Sequence, residues 1–198
     1  MGGSVLPATL INGVLHFLFG KERDMDENPG WSDFGGGTEN GESYITTAIR
    51  EGGEELTGFL GSEKEIKKLL NKYGTYNVTY PGSNGHSGYR VHIFPLEYDK
   101  YLPYYYNNNQ RFLQKRLPHN VIRDTKIFEK QEIKWWSLNE IKNNKKKFRS
   151  FYQNIVDMIL KDIDKINIFI NKSLTQKKTK IRSNKSISLK YKNKTKKR

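Results

Sequence analysis

A glycine turn followed by regularly spaced acidic residues is the feature that most constrains this chain. It occupies residues 36–58, with the sequence GGTENGESYITTAIREGGEELTG. If residues 42–56 form a helix, side chains three and four positions apart share one face of it. Glu51, Glu54 and Glu55 then crowd together on that helix. The segment therefore predicts a carboxylate cluster that follows a tight turn.

Crowded carboxylates are stable only where a cation neutralises them. Arg50 lies four positions before Glu54 and can pair with it, but one guanidinium cannot neutralise three carboxylates. A hard divalent cation is the natural further partner, because it prefers oxygen ligands. Oxygen-only ligands favour Mg²⁺ or Mn²⁺ over Zn²⁺, so the residues predict a magnesium or manganese site.

The spacing resembles the Nudix box of the Nudix hydrolases, G-x5-E-x7-R-E-U-x-E-E-x-G-U, in which U is aliphatic. The positions that agree are Gly36, Glu42, Arg50, Glu51, Glu54 and Glu55. Two positions differ: Gly52 occupies the aliphatic position, and Thr57 stands where the closing glycine is expected, one place before Gly58. The part of the box that supplies metal ligands is therefore intact, and the end of the helix is altered.

The resemblance implies Mg²⁺-dependent hydrolysis of a nucleoside diphosphate linked to another moiety, with water attacking one phosphorus. It implies that Glu51, Glu54 and Glu55 are metal ligands and catalytic residues, with Glu55 the first candidate for the indispensable ligand. Glu51 is either a ligand or the group that orients the attacking water. Arg50 would hold a carboxylate in place, and Glu42 would support the metal shell.

Residues outside the carboxylate cluster are candidates for substrate contacts. Gly36 and Gly37 would let the backbone approach the phosphates. Arg90 is a candidate phosphate contact, and so is Lys130, although a role in surface solubility suits both residues.

Nudix hydrolases often place a general base after the box, and this chain has several carboxylates there. Glu129 is the first candidate for that base. The alternatives are Glu132 and Glu97. An ordinary surface position is the competing interpretation for each of them.

The hydrophobic pattern predicts mixed strands with helices on either side, an α+β fold. The resemblance to the Nudix hydrolases implies the Nudix fold, a mixed β-sheet sandwiched between helices. The predicted strands are Thr9–Phe19, Trp31–Phe34, Tyr76–Tyr80, Tyr89–Leu96 and Ile127–Trp136. The predicted helices are residues 42–56, a capping-box helix from Ser62 to Asn71, a second capping-box helix at Ser137, and a long amphipathic helix over 148–170. The predicted loops are Pro81–Gly88 and the Tyr- and Asn-rich segment Tyr104–Asn109.

Positive charge is concentrated at the C-terminal end. The formal net charge is +14, and residues 172–198 contain 12 Lys or Arg and no acid. We expect a folded domain over residues 1–171 and a disordered basic tail over residues 172–198. The tail can attract RNA or another anionic surface by neutralising phosphates. A solvated end encoded by a genome biased to Lys, Asn and Ile codons is the alternative explanation.

The substrate is left open by the residues. The box, the Asn- and Lys-rich composition and the basic tail are together similar to Nudix proteins of large DNA viruses, some of which remove the 5′ cap of messenger RNA. That resemblance implies capped RNA. A housekeeping (di)nucleotide pyrophosphatase is an alternative, and a non-catalytic RNA- or nucleotide-binding module with the same fold is another, favoured by Gly52-Gly53 and the displaced closing glycine.

The sequence contains no cysteine, which excludes disulfides, a thiol nucleophile and cysteine zinc sites. The apolar segment 5–19 is interrupted by Pro7 and Gly13 and predicts the first strands rather than a signal peptide. No segment is long and apolar enough to span a bilayer. We therefore expect an intracellular protein in the cytoplasm, that of the host if the protein is viral.

Overall fold

The molecule is built around a mixed β-sheet, and the computed structural model describes residues 1–82, 88–125 and 129–175. The strands of these ranges are β1 (Gly2–Ile11), β2 (Val14–Glu22), β3 (Trp31–Ser32), β4 (Phe34–Gly37), β5 (Tyr76–Tyr80), β6 (Tyr89–Pro95) and β7 (Lys130–Ser137). The helices are α1 (Tyr44–Glu55), α2 (Glu63–Tyr73), α3 (Leu102–Arg116), α4 (His119–Asp124), α5 (Leu138–Asn143), α6 (Tyr152–Lys161) and α7 (163–175).

Strand β1 lies at the centre of the sheet. The strand order is β3-β2-β1-β6-β5, and in addition β4 pairs with β1 and β7 pairs with β2. Strands β1 and β6 run parallel, whereas the other pairs are antiparallel. Successive side chains of β1 alternate between the faces, so Val5 packs with residues of α1, α2 and α3, and Leu6 packs with residues of α6 and α7. The predicted mixed sheet between helices is confirmed.

The first predicted strand is in fact a hairpin. Residues 9–19 were expected to form one strand, but β1 ends at Ile11 and β2 begins at Val14. Asn12 and Gly13 have φ values of 50° and 80°, the left-handed conformation that both central residues of a type I′ turn adopt. The prediction of one strand was wrong because the apolar run continues through this Asn-Gly turn.

The Tyr- and Asn-rich segment Tyr104–Asn109, predicted as a loop, lies inside helix α3. Leu102 and Tyr106, four positions apart, are both buried. Asn107 Nδ2 donates to Ile133 O over 3.1 Å, and Ile133 N donates to Asn107 Oδ1 over 2.8 Å, which attaches the helix to β7. The loop prediction was wrong because the repetitive composition hid the helical spacing of the buried residues.

The predicted long C-terminal helix is divided into two consecutive helices. α6 ends before Asp162, whose φ and ψ are −96° and 12°, and α7 continues over residues 163–175. The helix therefore extends beyond the predicted domain boundary at residue 171. The remainder of the predicted basic tail, residues 176–198, lies outside the described residues. So do residues 83–87 of the predicted loop and residues 127–128 of the predicted strand. No helix in the described ranges is long and apolar enough to cross a bilayer.

The burial of His92 predicts that the protein becomes less stable as the pH falls. This histidine is 4% exposed, and its ring nitrogens have no hydrogen-bond partner among the described residues. Burial, and then the charge of Arg90, lower the pKa of His92 to about 4 from 6.5. The unfolded chain therefore binds a proton that the folded chain does not, and the free energy of unfolding decreases as the pH falls from 6.5 to about 4.

Replacing His92 with leucine should remove this contribution. When the pH falls from about 7.5 to about 4.5, both chains lose free energy of unfolding. The unaltered chain should lose about 2.5 kcal/mol more than the variant does. Urea denaturation at the two pH values measures the difference. The exposed His119 supplies the matched control, His119→Leu, which should retain the full dependence. Identical pH dependence in the two variants would contradict the assignment of this pH dependence to His92.

Candidate metal centre and adjoining cavity

Strand β4 consists of Phe-Gly-Gly-Gly and lies against helix α1. Gly35 N donates to Glu55 Oε2 over 2.8 Å. A Cβ atom on Gly36 would lie 2.5 Å from Glu51 Oε1, which is too close for any other residue unless the carboxylate moves. The glycines therefore allow two carboxylates of α1 to approach the backbone of the strand.

Helix α1 packs closely on β1, and this explains one departure from the Nudix pattern. A Cβ atom on Gly52 would lie 2.6 Å from Val5 Cγ2, so the glycine permits the close approach of helix and strand. At the end of the helix, Thr57 and Gly58 have φ values of 47° and 78°. Thr57 thus adopts the left-handed conformation that glycine favours, at the position where the pattern expects a glycine.

Arg50 donates hydrogen bonds to two of the acidic residues, Glu42 and Glu51. Its Nε donates to Glu42 Oε1 over 2.9 Å, and its Nη2 donates to Glu42 Oε2 over 3.2 Å. Its Nη1 donates to Glu51 Oε1 over 2.8 Å and lies 3.6 Å from Glu54 Oε2. The hydrogen bonds from Arg50, followed by one from the backbone of Glu39, lower the pKa of Glu42 to about 2. Glu42 therefore remains ionised and fixes the guanidinium that orients Glu51.

A group of three carboxylates, the carboxylate cluster, is formed by Glu51, Glu55 and Glu129. One oxygen from each of them lies within 4.8 Å of the others. Glu51 and Glu55 are buried, and Glu129 is half-buried. Because every donor is a carboxylate oxygen, the chemistry of the cluster fits Mg²⁺ or Mn²⁺.

Lys130 is a fully buried cation next to the carboxylate cluster. Its Nζ lies 3.1 Å from Glu55 Oε1, donates to Ser32 Oγ over 2.9 Å and also forms an ion pair with Glu22. Burial by itself lowers the pKa of Lys130, but the carboxylates of Glu55 and Glu22 outweigh burial and raise it. Burial raises the pKa of Glu55, and Lys130 opposes that shift. Lys130 is thus shared between two carboxylates, and Glu22 has a second cation, since it also accepts from Arg149 Nη1 over 3.0 Å.

Lys130 was expected either to contact a phosphate or to serve solubility at the surface, but the structure buries it completely. Glu22 and Lys130 are 108 positions apart, and no local pattern relates them. Tyr106 is a second residue that sequence reasoning did not assign to this region. Its hydroxyl is hydrogen-bonded to Glu55 O at 2.8 Å and to Lys130 O at 3.0 Å, so it joins the end of α1 to the start of β7.

A cavity of about 420 Å³ lies along β4, lined by the backbone of Gly35, Gly36 and Gly37 and by Arg149 and Phe151 among others. Its volume is within the range of small-molecule sites. The glycine strand therefore borders both the cavity and the carboxylate cluster.

Asp33 is a buried carboxyl group on the wall of this cavity. Burial raises its pKa to about 6, although hydrogen bonds from Ser4 and Tyr89 act in the opposite direction. Tyr89 donates to Asp33 Oδ1 over 2.9 Å. No local pattern in the sequence marked Asp33, because its partners come from β1 and β6.

The other predicted site residues lie around the cluster. Glu54 is 30% exposed in its side chain and is near Arg50, and Glu42 is bound to Arg50; neither belongs to the carboxylate cluster. Arg90 lies on β6, with its guanidinium 4.7 Å from the ring centre of Tyr44 and its Nε donating to Thr79 Oγ1 over 3.1 Å. It is not among the described residues that line the cavity.

Gly36 should be sensitive to the addition of a single methyl group. In Gly36→Ala the new Cβ would displace the Glu51 carboxylate, so we expect Mn²⁺ affinity to fall by about 10- to 100-fold, the usual effect of disturbing the residues that orient a ligand. Gly37→Ala is the matched control, because a Cβ there would meet no atom within 4 Å. Isothermal titration with Mn²⁺ measures both. Equal affinity of the two variants would contradict this placement of Glu51.

Comparison with known proteins gives matches in structure only. No protein-family model matches the sequence, and no curated protein matches it. RenU, a Nudix hydrolase of M. smegmatis, has a TM-score of 0.51 and 11% identity, over 84% of this chain and 87% of that chain. Since the identity is low, this likeness shows a shared fold alone.

Two further solved structures are similar at lower TM-scores. A C. elegans Ap4A hydrolase has a TM-score of 0.46 and 15% identity, over 82% of this chain and 96% of that chain. A bifunctional NMN adenylyltransferase/ADP ribose pyrophosphatase from Francisella tularensis has a TM-score of 0.49 and 20% identity, over 80% of this chain and 40% of that chain.

Proposed function

We infer that this chain, which has the Nudix fold, is a pyrophosphohydrolase that cleaves a nucleoside diphosphate linked to another moiety, with Mg²⁺ or Mn²⁺ as cofactor. The observation that carries the proposal is the cluster of Glu51, Glu55 and Glu129 beside the glycine strand β4. Oxygen donors at this separation suit a hard divalent cation. Phosphoryl transfer requires positioning and charge stabilisation more than a protein nucleophile, and these residues would supply both.

The acidic residues would have two roles, binding the cation and accepting a proton. Glu51, Glu55 and Glu129 would hold the cation, which when bound neutralises charge on the transferring phosphoryl oxygens. Arg50 keeps the Glu51 carboxylate oriented. Glu129, the least buried of the three, would accept a proton from the attacking water. Glu54 remains a candidate for a further ligand.

The cavity would hold the nucleoside diphosphate. Gly35, Gly36 and Gly37 have no side chains between the cavity and the carboxylate cluster, so phosphates could lie against the strand backbone. Phe151 is 46% exposed and offers a ring for a base to stack on. Arg149 lies beside that ring, with its guanidinium 5.0 Å from the ring centre, and could bind a phosphate.

A panel of substrates tests the proposal. Capped RNA, dinucleoside polyphosphates, ADP-ribose and nucleoside triphosphates are incubated with Mg²⁺ or Mn²⁺, and the products are separated by chromatography. We expect cleavage within a pyrophosphate of at least one substrate, loss of that cleavage with a chelator, and loss in Glu51→Gln. A folded, unaltered chain that cleaves nothing in the panel would contradict the proposal.

A finer proposal is that the moiety beyond the pyrophosphate is RNA, as in removal of a messenger RNA cap. Its supports are the similarity of the box and composition to Nudix proteins of large DNA viruses and the basic residues 172–198. Removing residues 176–198, which keeps every described residue of α7, should reduce the preference for capped RNA over the free cap dinucleotide. An unchanged preference would remove this support.

One observation favours a second candidate, a nucleotide-binding module without catalysis. The ion pair between Lys130 and Glu55 places a cation where a metal would compete for the same carboxylate. Such a module would bind nucleotides equally well with and without Mg²⁺, whereas the hydrolase should require Mg²⁺ for turnover. Calorimetric titration with ADP-ribose, in Mg²⁺ and then in a chelator, distinguishes the two.

A further inference from the structure

Helix α3 presents large aromatic side chains to solvent. Tyr104, Tyr105 and Phe112 of the helix are 60%, 59% and 57% exposed, and Tyr101, the residue just before it, is 51% exposed. Their spacings of three, four and seven place them on one side of the helix. Tyr106, on the opposite side, is completely buried, so the helix is already packed on the body and these rings form a separate surface.

Cationic side chains lie on the same surface. Arg111, Lys115 and Arg116 are exposed, and their positions continue the same helical spacing. The guanidinium of Arg116 lies 5.2 Å from the ring centre of Phe112. The sequence contains no Asp or Glu over residues 100–123, so nothing in that segment offsets the positive charge.

We name this surface the outer face of α3. It comprises Tyr101, Tyr104, Tyr105, Arg111, Phe112, Lys115 and Arg116. We propose that the outer face of α3 binds single-stranded nucleic acid. Aromatic rings accept stacked bases of any sequence, and neighbouring cations bind the phosphates between them, which is the combination that single-strand-binding surfaces use.

Other occupants fit this surface less well. A second copy of the chain would bring two cationic faces together, which is unfavourable because like charges repel. A membrane-binding helix places its apolar side chains on one face and its cations on the opposite face, whereas here Arg116 lies over the ring of Phe112 on the same face. The exposed rings and the cations beside them together favour a polyanion that also has aromatic groups.

The position of α3 relates this surface to the candidate metal centre. The hydroxyl of Tyr106 is hydrogen-bonded to Glu55 O at 2.8 Å, so the outer face lies about one helix diameter, roughly 10 Å, beyond the end of α1. A strand bound there would pass close to the site of hydrolysis. Its use in selecting substrates rests on the proposed function, but the binding itself does not.

Fluorescence anisotropy with a labelled oligouridine tests the binding. The full chain is compared with the aromatic variant Tyr104→Ala/Tyr105→Ala/Phe112→Ala, so that the basic C-terminal residues are constant. For a strand of about 20 nucleotides, we expect the Kd to rise by about tenfold or more in the variant, since each stacked base depends on its ring. Oligothymidine in parallel shows whether ribose is required. An unchanged Kd for both strands would overturn the proposal.

Salt dependence separates the contribution of this surface from general electrostatic attraction. The cationic variant Arg111→Gln/Lys115→Gln/Arg116→Gln should reduce the slope of log Kd against log salt concentration by about 2, because it removes three phosphate contacts. A slope equal to that of the unaltered chain would overturn the assignment of phosphates to this face.

Helix α2 provides a matched control for charge. Lys64, Lys67 and Lys68 are exposed, and Lys64→Gln/Lys67→Gln/Lys68→Gln removes the same net charge from a helix without exposed rings on that face. We expect this variant to bind oligouridine with the slope of the unaltered chain. If it weakens binding as much as the cationic variant does, attraction is diffuse and the proposal fails.

Two further measurements distinguish the alternatives. The aromatic variant should hydrolyse a small nucleotide substrate at the rate of the unaltered chain, which also shows that it is folded. If this variant loses strand binding but keeps hydrolysis, the result supports the binding surface independently of the hydrolysis. If no substrate is hydrolysed but the strand binds as expected, only the proposed function fails. Loss of binding to anionic vesicles in the aromatic variant, with strand binding unchanged, would assign the surface to membranes and overturn the proposal.

Discussion

Replacing Glu55 with glutamine should lower Mg²⁺-dependent hydrolysis about a thousandfold, because Lewis-acid stabilisation is worth several kcal/mol and each 1.4 kcal/mol is tenfold in rate. Glutamine keeps the size of the side chain and an oxygen that can accept from Gly35 N. It removes the negative charge that holds a divalent cation. The loss should therefore fall on kcat and on the Mg²⁺ concentration required. Some stability should be lost as well, because the change removes one partner of the buried pair with Lys130.

The control for this prediction is a carboxylate outside the site. Glu63 is exposed at the start of α2, and Glu63→Gln should keep the full rate. Steady-state rates at increasing Mg²⁺ concentration compare the variants, and circular dichroism checks that Glu55→Gln is folded. A rate for Glu55→Gln within a few-fold of the unaltered chain would show that this carboxylate does not hold the catalytic metal.

Replacing Lys130 with methionine should reduce the free energy of unfolding by about 3–5 kcal/mol, the usual effect of removing one partner from a buried ion pair. Lys130 is fully buried between Glu22 and Glu55. Methionine fills a similar volume but leaves both carboxylates without the cation they share, although Glu22 keeps its ion pair with Arg149. Urea denaturation measures the change.

Lys134 supplies the matched control on the same strand. Its side chain is 46% exposed and pairs with Glu140, so Lys134→Met should cost about 1 kcal/mol or less. The double variant Lys130→Met/Glu55→Gln should lose less stability than the sum of its single changes, since it removes both ends of one interaction. Additive losses would show that Lys130 and Glu55 do not interact in solution.

The contrast between α1 and α3 shows how far local pattern predicts this fold. Both capping-box helices begin at their predicted serines, because a cap depends on residues three positions apart. Helix α3 was missed because its repetitive composition hid the helical spacing of Leu102 and Tyr106, whose burial depends on how the helix packs on β7. The Asn12-Gly13 turn was missed although its signal is local, since the apolar run around it suggested one continuous strand.

In the candidate site, too, some features follow from local sequence and others only from the tertiary structure. The sequence by itself determined that Arg50, Glu51 and Glu55 come from one helix in a fixed register, because helical spacing depends only on neighbours in the chain. Only the tertiary structure decided that Glu129 joins them and that buried Lys130 pairs with Glu55. Those contacts depend on how β7 and β2 pair, and strand pairing is set by burial across the whole sheet rather than by residues close in sequence.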